Sequence, residues 1–595
     1  MTTRRTDASN RPQRASETPA SLQPITSRWR VADPAPDGFY LEIENAAPRG
    51  SLALVSTLLY NRGIRNQDAA LSFLNDGLDA MHPPSAIPGI EHAVDVILEA
   101  TRNGEGIGIL GDFDADGITA TAIIVLTLRK LGIEPRYHLP HREIEGHGIS
   151  LEALERFQKQ GVSVVITVDT GITAFDEVEY AKTLGIRTVI TDHHLPQGDQ
   201  LPNAAAIVNR HLSDDPRLAD FCGAATAFKL AMALLAEAEQ SPAPELISLA
   251  AVGTLADQTE LLGDNRIIVR EGLKMLDTTS PPGLIELTRL ISNQIRHGGP
   301  FDAEFITFQL APRLNAPGRI DSADPSLNLL IATDIYQAMQ LANYLDDANK
   351  KRRSIADKAW RAAKPKIDAA MSSGNNVMAI EVDATLPMGV LGPLAGNASE
   401  YAASPAFAYQ VIDGVARASA RSIPGFDIHQ ALEAVSTKLQ RFGGHAAAAG
   451  FAADESLIPE ITDHLETQMS WSALSSTVNE RAVRTVDAEI RLDQLGYSLW
   501  EFIDKMAPFG TGNREPRFLV RGAETANIAY MGRNQDHVRL DLKDSTGRSF
   551  RTVGFRMADN LPPTRIVDAV VSLKTDYYRG NRRRELRLHD ISANQ

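Results

Sequence analysis

A single cysteine, Cys222, occurs in the chain, so no internal disulfide can form, which fits a reducing cytoplasm. No uninterrupted apolar run approaches the roughly 18 residues that cross a bilayer, and a membrane span is excluded. The opening stretch MTTRRTDASNRPQRASETPAS lacks the apolar middle of a secretory signal and reads as a mobile tail, placed at residues 1–40. No GxGxxG follows the first strand-like run and no Gly-Lys-Ser/Thr step is present, which removes a dehydrogenase and a P-loop NTPase. Excess positive charge is lacking too. A formal net charge of -15 excludes coating nucleic acid by charge alone, but it leaves a nuclease open, because acidic clusters that hold divalent cations are offset locally by them.

What is present is an ordinary soluble composition, 43% hydrophobic and 23% charged, in 595 residues, long enough for three or four domains. Residues 41–100 have a helical pattern broken by MHPPSAIPG. The runs GIGIL, SVVITVD, TVITD and AAIVN then alternate with helix-like segments at 119–131 and 174–184, which predicts an α/β domain built on a parallel, doubly wound sheet. A long connecting helix is expected over 337–375, a smaller α/β domain over 376–480, and a strand-rich barrel of the oligonucleotide-binding type over 481–595. The α/β domain built on the parallel sheet, with its helical N-terminal part, is expected over 41–336.

The stretch GDFDADG sets Asp112, Asp114 and Asp116 at alternate positions directly after GIGIL. Such a turn can simply cap a helix beginning near Ile118. Three further elements favour a metal site: VDTGIT places Asp169 at a second strand end, TDHH places Asp192, His193 and His194 at a third, and GTLAD supplies Asp257. Ligands in open α/β sheets bind beyond the carboxyl ends of the strands. Carboxylates and imidazoles suit Mn2+ or Mg2+, and two such ions relieve the repulsion among the acidic groups. The reaction this set supports is phosphodiester hydrolysis, with His194 orienting the phosphate or protonating the leaving oxygen, or else only positioning Asp192.

In order and spacing, GDFDADG, VDTG, TDHH and ADQTEL resemble the DHH phosphoesterases, specifically the RecJ-type exonucleases of single-stranded DNA. LPHREIEGHGIS, CGAATAFKLA, LAPRLNAPGRI, ARASARSIPGF and RFGGHAAAAGF extend the resemblance over most of the chain. It implies a DHH domain, a DHHA1 domain and an OB-fold-like C-terminal domain. It implies that Asp114, Asp116, Asp169, His193 and Asp257 bind two metals, with Asp169 the bridge and Asp112 and His194 completing or supporting the shell. Many relatives carry a histidine where Leu110 stands, a place Asp112 can take. Arg142, Arg313, Arg319, Ser419 and Arg421 are implied phosphate contacts, and Gly443, Gly444 and His445 a substrate loop. For the arginines the plainer reading is a surface ion pair, and for the glycines a helix-entry turn. A second departure is TLPMGVLGPLAGN, with Leu386, Pro387 and Asn397 where relatives carry Trp-His and Arg, which weakens or alters substrate holding. KTDYYRGNRRRELR, including Arg579, reads either as a grip on single strands or as a solvated hairpin tip.

The expected activity is thus a metal-dependent 5′-to-3′ exonuclease that degrades single-stranded DNA to mononucleotides in recombination and repair. Expected partners are single-stranded DNA, with a single-strand-binding protein or a helicase as protein partner, for a monomeric chain without a membrane. The alternatives are a phosphodiesterase for short RNA or cyclic dinucleotides, whose members are usually shorter, and a non-catalytic replication scaffold, which would be expected to lose the metal ligands retained here.

Overall fold

The computed structural model describes residues 29–43, 51–241, 243–295, 298–468, 484–532, 534–578 and 581–594. The expected tail lies outside them as far as residue 28. Its remainder is folded: Trp29–Val31 is a strand and Asp37–Glu42 a helix.

The catalytic sheet has five parallel strands in the spatial order Arg136–His138, Gly106–Leu110, Val162–Val168, Arg187–Thr191, Ala206–Val208. Alternation sends Ile107, Ile109, Val164 and Ile166 into a core shared with helix Ala115–Lys130, and Leu110, Val165 and Ile190 into another shared with Leu154, Phe157 and Val178. With both faces covered the central strands are largely apolar, as a doubly wound sheet requires. The chain leaves the first strand to one side and returns on the other, so the topological switch point lies between Gly106–Leu110 and Val162–Val168.

A 38-residue helix, Ile335–Ser372, leads out of this domain, capped by Asp334, whose carboxylate accepts from Gln337 N. At 1.5 Å per residue it is about 57 Å long. It ends at a five-stranded mixed sheet ordered Leu439–His445, Ala448–Asp454, Val415–Arg421, Ala406–Ile412, Met378–Glu381. The C-terminal region is a closed barrel: Phe518–Met531, His537–Lys543, Ser549–Gly554, Asn581–Ala593 and Ile566–Tyr578 pair in turn, and the last pairs back to the first.

One expectation is corrected. The first helices were placed with the catalytic domain, yet Phe39, Val55, Leu58, Leu59 and Leu74 share a core with Leu499, Trp500, Phe518, Leu540 and Val571 of the barrel region. Trp29–Val31 also pairs in parallel with Arg484–Val486, and Trp29 Nε1 donates to Asp590 Oδ2 at 3.0 Å. Short helices with one apolar stripe must bury it somewhere, and periodicity does not say against what. Among the described residues no helix is long and apolar enough to cross a membrane.

Candidate metal centre and phosphate cleft

The switch point is where the acidic residues gather. Asp112 follows the first strand; Asp114 caps the next helix, its Oδ1 accepting from Asp116 N at 2.9 Å and Gly117 N at 3.2 Å; Asp116 sits in the first turn. The capping role thus occupies Asp114 Oδ1 and leaves Oδ2 outside those two bonds. Asp169 follows the neighbouring strand in a left-handed backbone conformation, φ 62°, which a non-glycine residue adopts at a cost and which recurs at functional sites. His193 and His194 follow the next strand, and Asp257 caps the C-terminus of helix Leu246–Ala256.

These side chains converge in three overlapping groups: Asp112, Asp114 and Asp169; Asp116, His193 and Asp257; Asp169, His193 and His194. Within each, one ligand atom per residue lies no more than 4.8 Å from the others. His193 Nε2 stands 3.0 Å from Asp169 Oδ1 and 3.9 Å from Asp116 Oδ2. Asp169 Oδ1 nevertheless accepts no hydrogen bond, and neither does the buried Asp112 Oδ1. Buried carboxylate oxygens without donors are costly unless something else, such as a cation, satisfies them. Backbone packs tightly around them: a Cβ on Gly223 would stand 2.5 Å from Asp169 Cβ, and one on Gly253 would stand 2.6 Å from Asp116 Oδ1. Gly223 N and Ala224 N, at the start of helix Gly223–Glu237, donate to the two oxygens of Asp116 at 2.7 and 2.8 Å.

Electrostatics agree with the geometry. Burial, then the charges of Asp257 and Asp114, push Asp116 up to about 8 despite those two amide donors. Burial and the neighbouring aspartates raise Asp114 and hold Asp169 well above the usual carboxylate range. Burial and the charge of His194 lower His193, keeping it the neutral imidazole a metal needs. The residues present thus fit a pair of divalent cations: hard oxygen donors, one neutral imidazole, and acidic groups too close together to ionise without positive charge between them. Asp192 differs. Its Oδ1 accepts from His193 N and from His194 Nδ1, both at 2.7 Å, and its Oδ2 accepts from Ile172 N at 2.9 Å, so it orients the histidines from behind. Burial opposes charge on His194, but the bond to Asp192 and the charges of Asp192, Asp112 and Asp257 outweigh it and raise the imidazole to about 9.

Arginines collect beside this centre, between the catalytic sheet and the second domain. Arg142 stacks 3.9 Å over Phe113, and its buried Nε has no partner. Arg319 donates to Gly389 O at 3.2 Å, and burial, then Arg142, Arg352 and Arg421, lower it to about 10. Arg421 donates to Ser419 Oγ at 3.1 Å and is lowered by burial and by Arg142. None of Arg142, Arg319, Arg352 and Arg421 forms an ion pair among the described residues, so the four make a cationic recess that calls for an anion. Arg313 is a correction. It is buried, its Nε donating to Asp346 Oδ1 at 2.9 Å, its Nη1 to Gln309 O at 2.6 Å and its Nη2 to Gln294 Oε1 at 3.3 Å, which leaves it no free face for phosphate. Gly443, Gly444 and His445 are exposed on the edge strand of a hairpin, not at a helix entry. Leu386 O accepts from the buried Gln410 Nε2 at 2.8 Å, and Asn397 is exposed.

Two residues beside the site escaped the sequence reading: Arg352, one cation in the run NKKRRS, and His147, whose Nδ1 stands 3.3 Å from Asp112 Oδ2. The basic hairpin is largely engaged within the molecule. Lys574 and Arg587 pair with Glu304 at 3.0 and 2.8 Å, Arg582 with Asp504 at 3.0 Å, and Arg584 stacks on Tyr497; Arg579 lies outside the described residues.

A parallel sheet with these strand-end motifs, a second α/β domain behind a long helix and an appended barrel define a DHH-type phosphoesterase. Residues 106–254 match the DHH family N-terminal domain, 374–470 the DHHA1 domain and 486–590 the RecJ OB domain. The chain is 32% identical over 579 residues to the single-stranded-DNA-specific exonuclease RecJ of Bacillus subtilis, covering 96% of this chain and 71% of that one. It superposes on the crystal structure of RecJ in complex with Mn2+ from Thermus thermophilus with TM-score 0.79 and 28% identity, covering 96% and 80% of the two chains. The Mg2+ complex from the same organism gives TM-score 0.73 and 26% identity over 96% and 79%. The chain belongs to the RecJ family of single-stranded-DNA-specific exonucleases.

Proposed function

We propose that this protein is a metal-dependent exonuclease that hydrolyses single-stranded DNA from its 5′ end to mononucleotides, in recombination and repair. The observation that carries the reading is the facing of two sites: acidic groups with unsatisfied buried oxygens on one side, and arginines without carboxylate partners on the other. Asp114, Asp116, Asp169, His193 and Asp257 would hold two divalent cations, Mn2+ or Mg2+, with Asp169 the shared ligand of the set and Asp112 supporting it. Bound there, the cations make water more acidic and offset charge on phosphoryl oxygens. Everything else is the work of the chain. Arg142, Arg319, Arg352 and Arg421 take the terminal phosphate, since guanidinium forks match its oxygens. His194, protonated at neutral pH and fixed through Nδ1 by Asp192, presents Nε2–H to the leaving oxygen. The tight backbone around Asp116 and Asp169 keeps their carboxylates from moving as substrate enters.

The test is incubation of 5′-labelled single- and double-stranded DNA and RNA with and without Mn2+, resolving products by size, for wild type and Asp169→Ala. Mononucleotides from single-stranded DNA alone, lost in Asp169→Ala while strand binding persists, are expected. Full turnover by Asp169→Ala would reject the metal assignment, and equal cleavage of RNA would reject the substrate.

A further inference from the structure

The imidazole of His147 faces the metal centre from a loop rather than from a strand end. Its Nδ1 lies 3.3 Å from Asp112 Oδ2, and its ring centroid lies 4.3 Å from that of Phe113. The other oxygen of Asp112, Oδ1, is buried and accepts no hydrogen bond, and Asp112 groups with Asp114 and Asp169. One carboxylate oxygen is thus met by a nitrogen of the protein, and the other is left over. The loop itself is held from two directions. Glu145 accepts from His141 N at 2.8 Å and faces His138 Nε2 at 2.8 Å, while Glu143 accepts from Met388 N of the second domain at 2.8 Å. His147 is therefore not a freely swinging surface residue, although its side chain is 69% exposed.

We propose that His147 is a positioning residue of the metal centre. Its imidazole, with Nδ1 3.3 Å from Asp112 Oδ2, restrains that carboxylate and leaves Oδ1 to a cation, which sets the affinity of the ion bound on the Asp112 side. A carboxylate free to turn would lose entropy on binding and would sample geometries that do not ligate; a single outer contact reduces both costs. The inference rests on the two-cation reading above and adds to it the residue that tunes one of the two ions.

The experiment is calorimetric titration of the metal-free full chain with Mn2+, together with electron paramagnetic resonance of spin coupling between bound ions. It compares wild type with His147→Ala, His147→Asn and His147→Gln. Asparagine places an amide nitrogen near the position of Nδ1, whereas glutamine places it near that of Nε2. Wild type should bind two ions; His147→Ala should bind one of them about 10- to 100-fold more weakly, with the coupled signal lost at limiting Mn2+. His147→Asn should recover most of that affinity and His147→Gln should not. Unchanged affinities in His147→Ala, or no recovery in His147→Asn, would overturn the role of His147 while leaving the metal centre standing. Failure of wild type to bind Mn2+ at all would instead overturn the two-cation reading, and this inference with it.

Discussion

Asp116 carries a sharp conflict between burial and charge. Burial and its acidic neighbours raise it from 3.8 to about 8, so without metal the folded protein keeps a proton there that the unfolded chain releases above about pH 4. A carboxyl whose folded pKa is raised contributes stability below its unfolded value and loses it as pH climbs toward the folded one. The metal-free protein should therefore melt at progressively lower temperature from pH 5 to pH 8. Cations displace the proton, so the rise in melting temperature on adding Mn2+ should be larger at pH 8 than at pH 6. For each proton displaced, Mn2+ affinity should grow about tenfold per pH unit over that interval. A metal-induced shift that is the same at both pH values would show that Asp116 ionises without help. The two arginines that sequence treats alike separate at the same scale. Arg313→Ala breaks a buried pair with Asp346 and should cost about 3 kcal/mol in denaturant unfolding. Arg421→Ala should instead leave unfolding nearly unchanged and raise KM for 5′-phosphorylated strands more than for strands ending in a hydroxyl.

Among the elements, helix Ile335–Ser372 does more than connect: it brings Arg352 to the recess formed by Arg142, Arg319 and Arg421. If Arg352 meets phosphate, Arg352→Ala should weaken binding of all single-stranded sequences alike and flatten the dependence of log affinity on log salt by about 0.7. An unaltered slope would return Arg352 to its neighbour Asn349, to which it already donates at 2.9 Å. Sequence could show this helix, because charge and helix-favouring residues persist along it, but it could not show which cation of NKKRRS faces inward, since that depends on where the second domain docks. The catalytic strands were legible for a related reason: GIGIL and SVVITVD are rich in apolar, β-branched residues because both faces are covered, and Asp112 and Asp169 then mark their ends. His147 was illegible because its place is set by a loop tied to Met388, far along the chain. Arg313 misled because a motif gives a residue type and not the direction of its side chain.

At the scale of the whole molecule, the barrel is not a detachable module. Its core continues into the first helices, so removing residues 481–595 alone would expose Val55, Leu58 and Leu59, each now fully buried. Burying such side chains is worth about 1.5–3 kcal/mol apiece, enough to leave the stump prone to aggregate. The catalytic domain grips this composite from its own side. Arg266 donates to Phe73 O at 3.0 Å and to Ala507 O at 2.9 Å, touching the first helices and the barrel region at once, while Glu304 receives Lys574 and Arg587. Between them lies a cleft of about 1480 Å³ lined by both charges, Arg517 and Lys574 as well as Glu515 and Asp504, so it gives no continuous cationic track for a strand. A chain comprising residues 1–480 should therefore be recovered mainly as aggregate. One comprising residues 81–480, which loses both halves of the shared core together, should stay soluble and keep Mn2+-dependent hydrolysis of short strands, because every group of the metal centre and the arginine recess lies within it. Its affinity for long strands should fall, with the loss growing as the strand lengthens beyond the reach of the recess. Gel filtration separates the first expectation from the second, and binding of labelled strands of increasing length measures the third; equal affinity at every length would mean that the barrel closes the molecule without touching DNA.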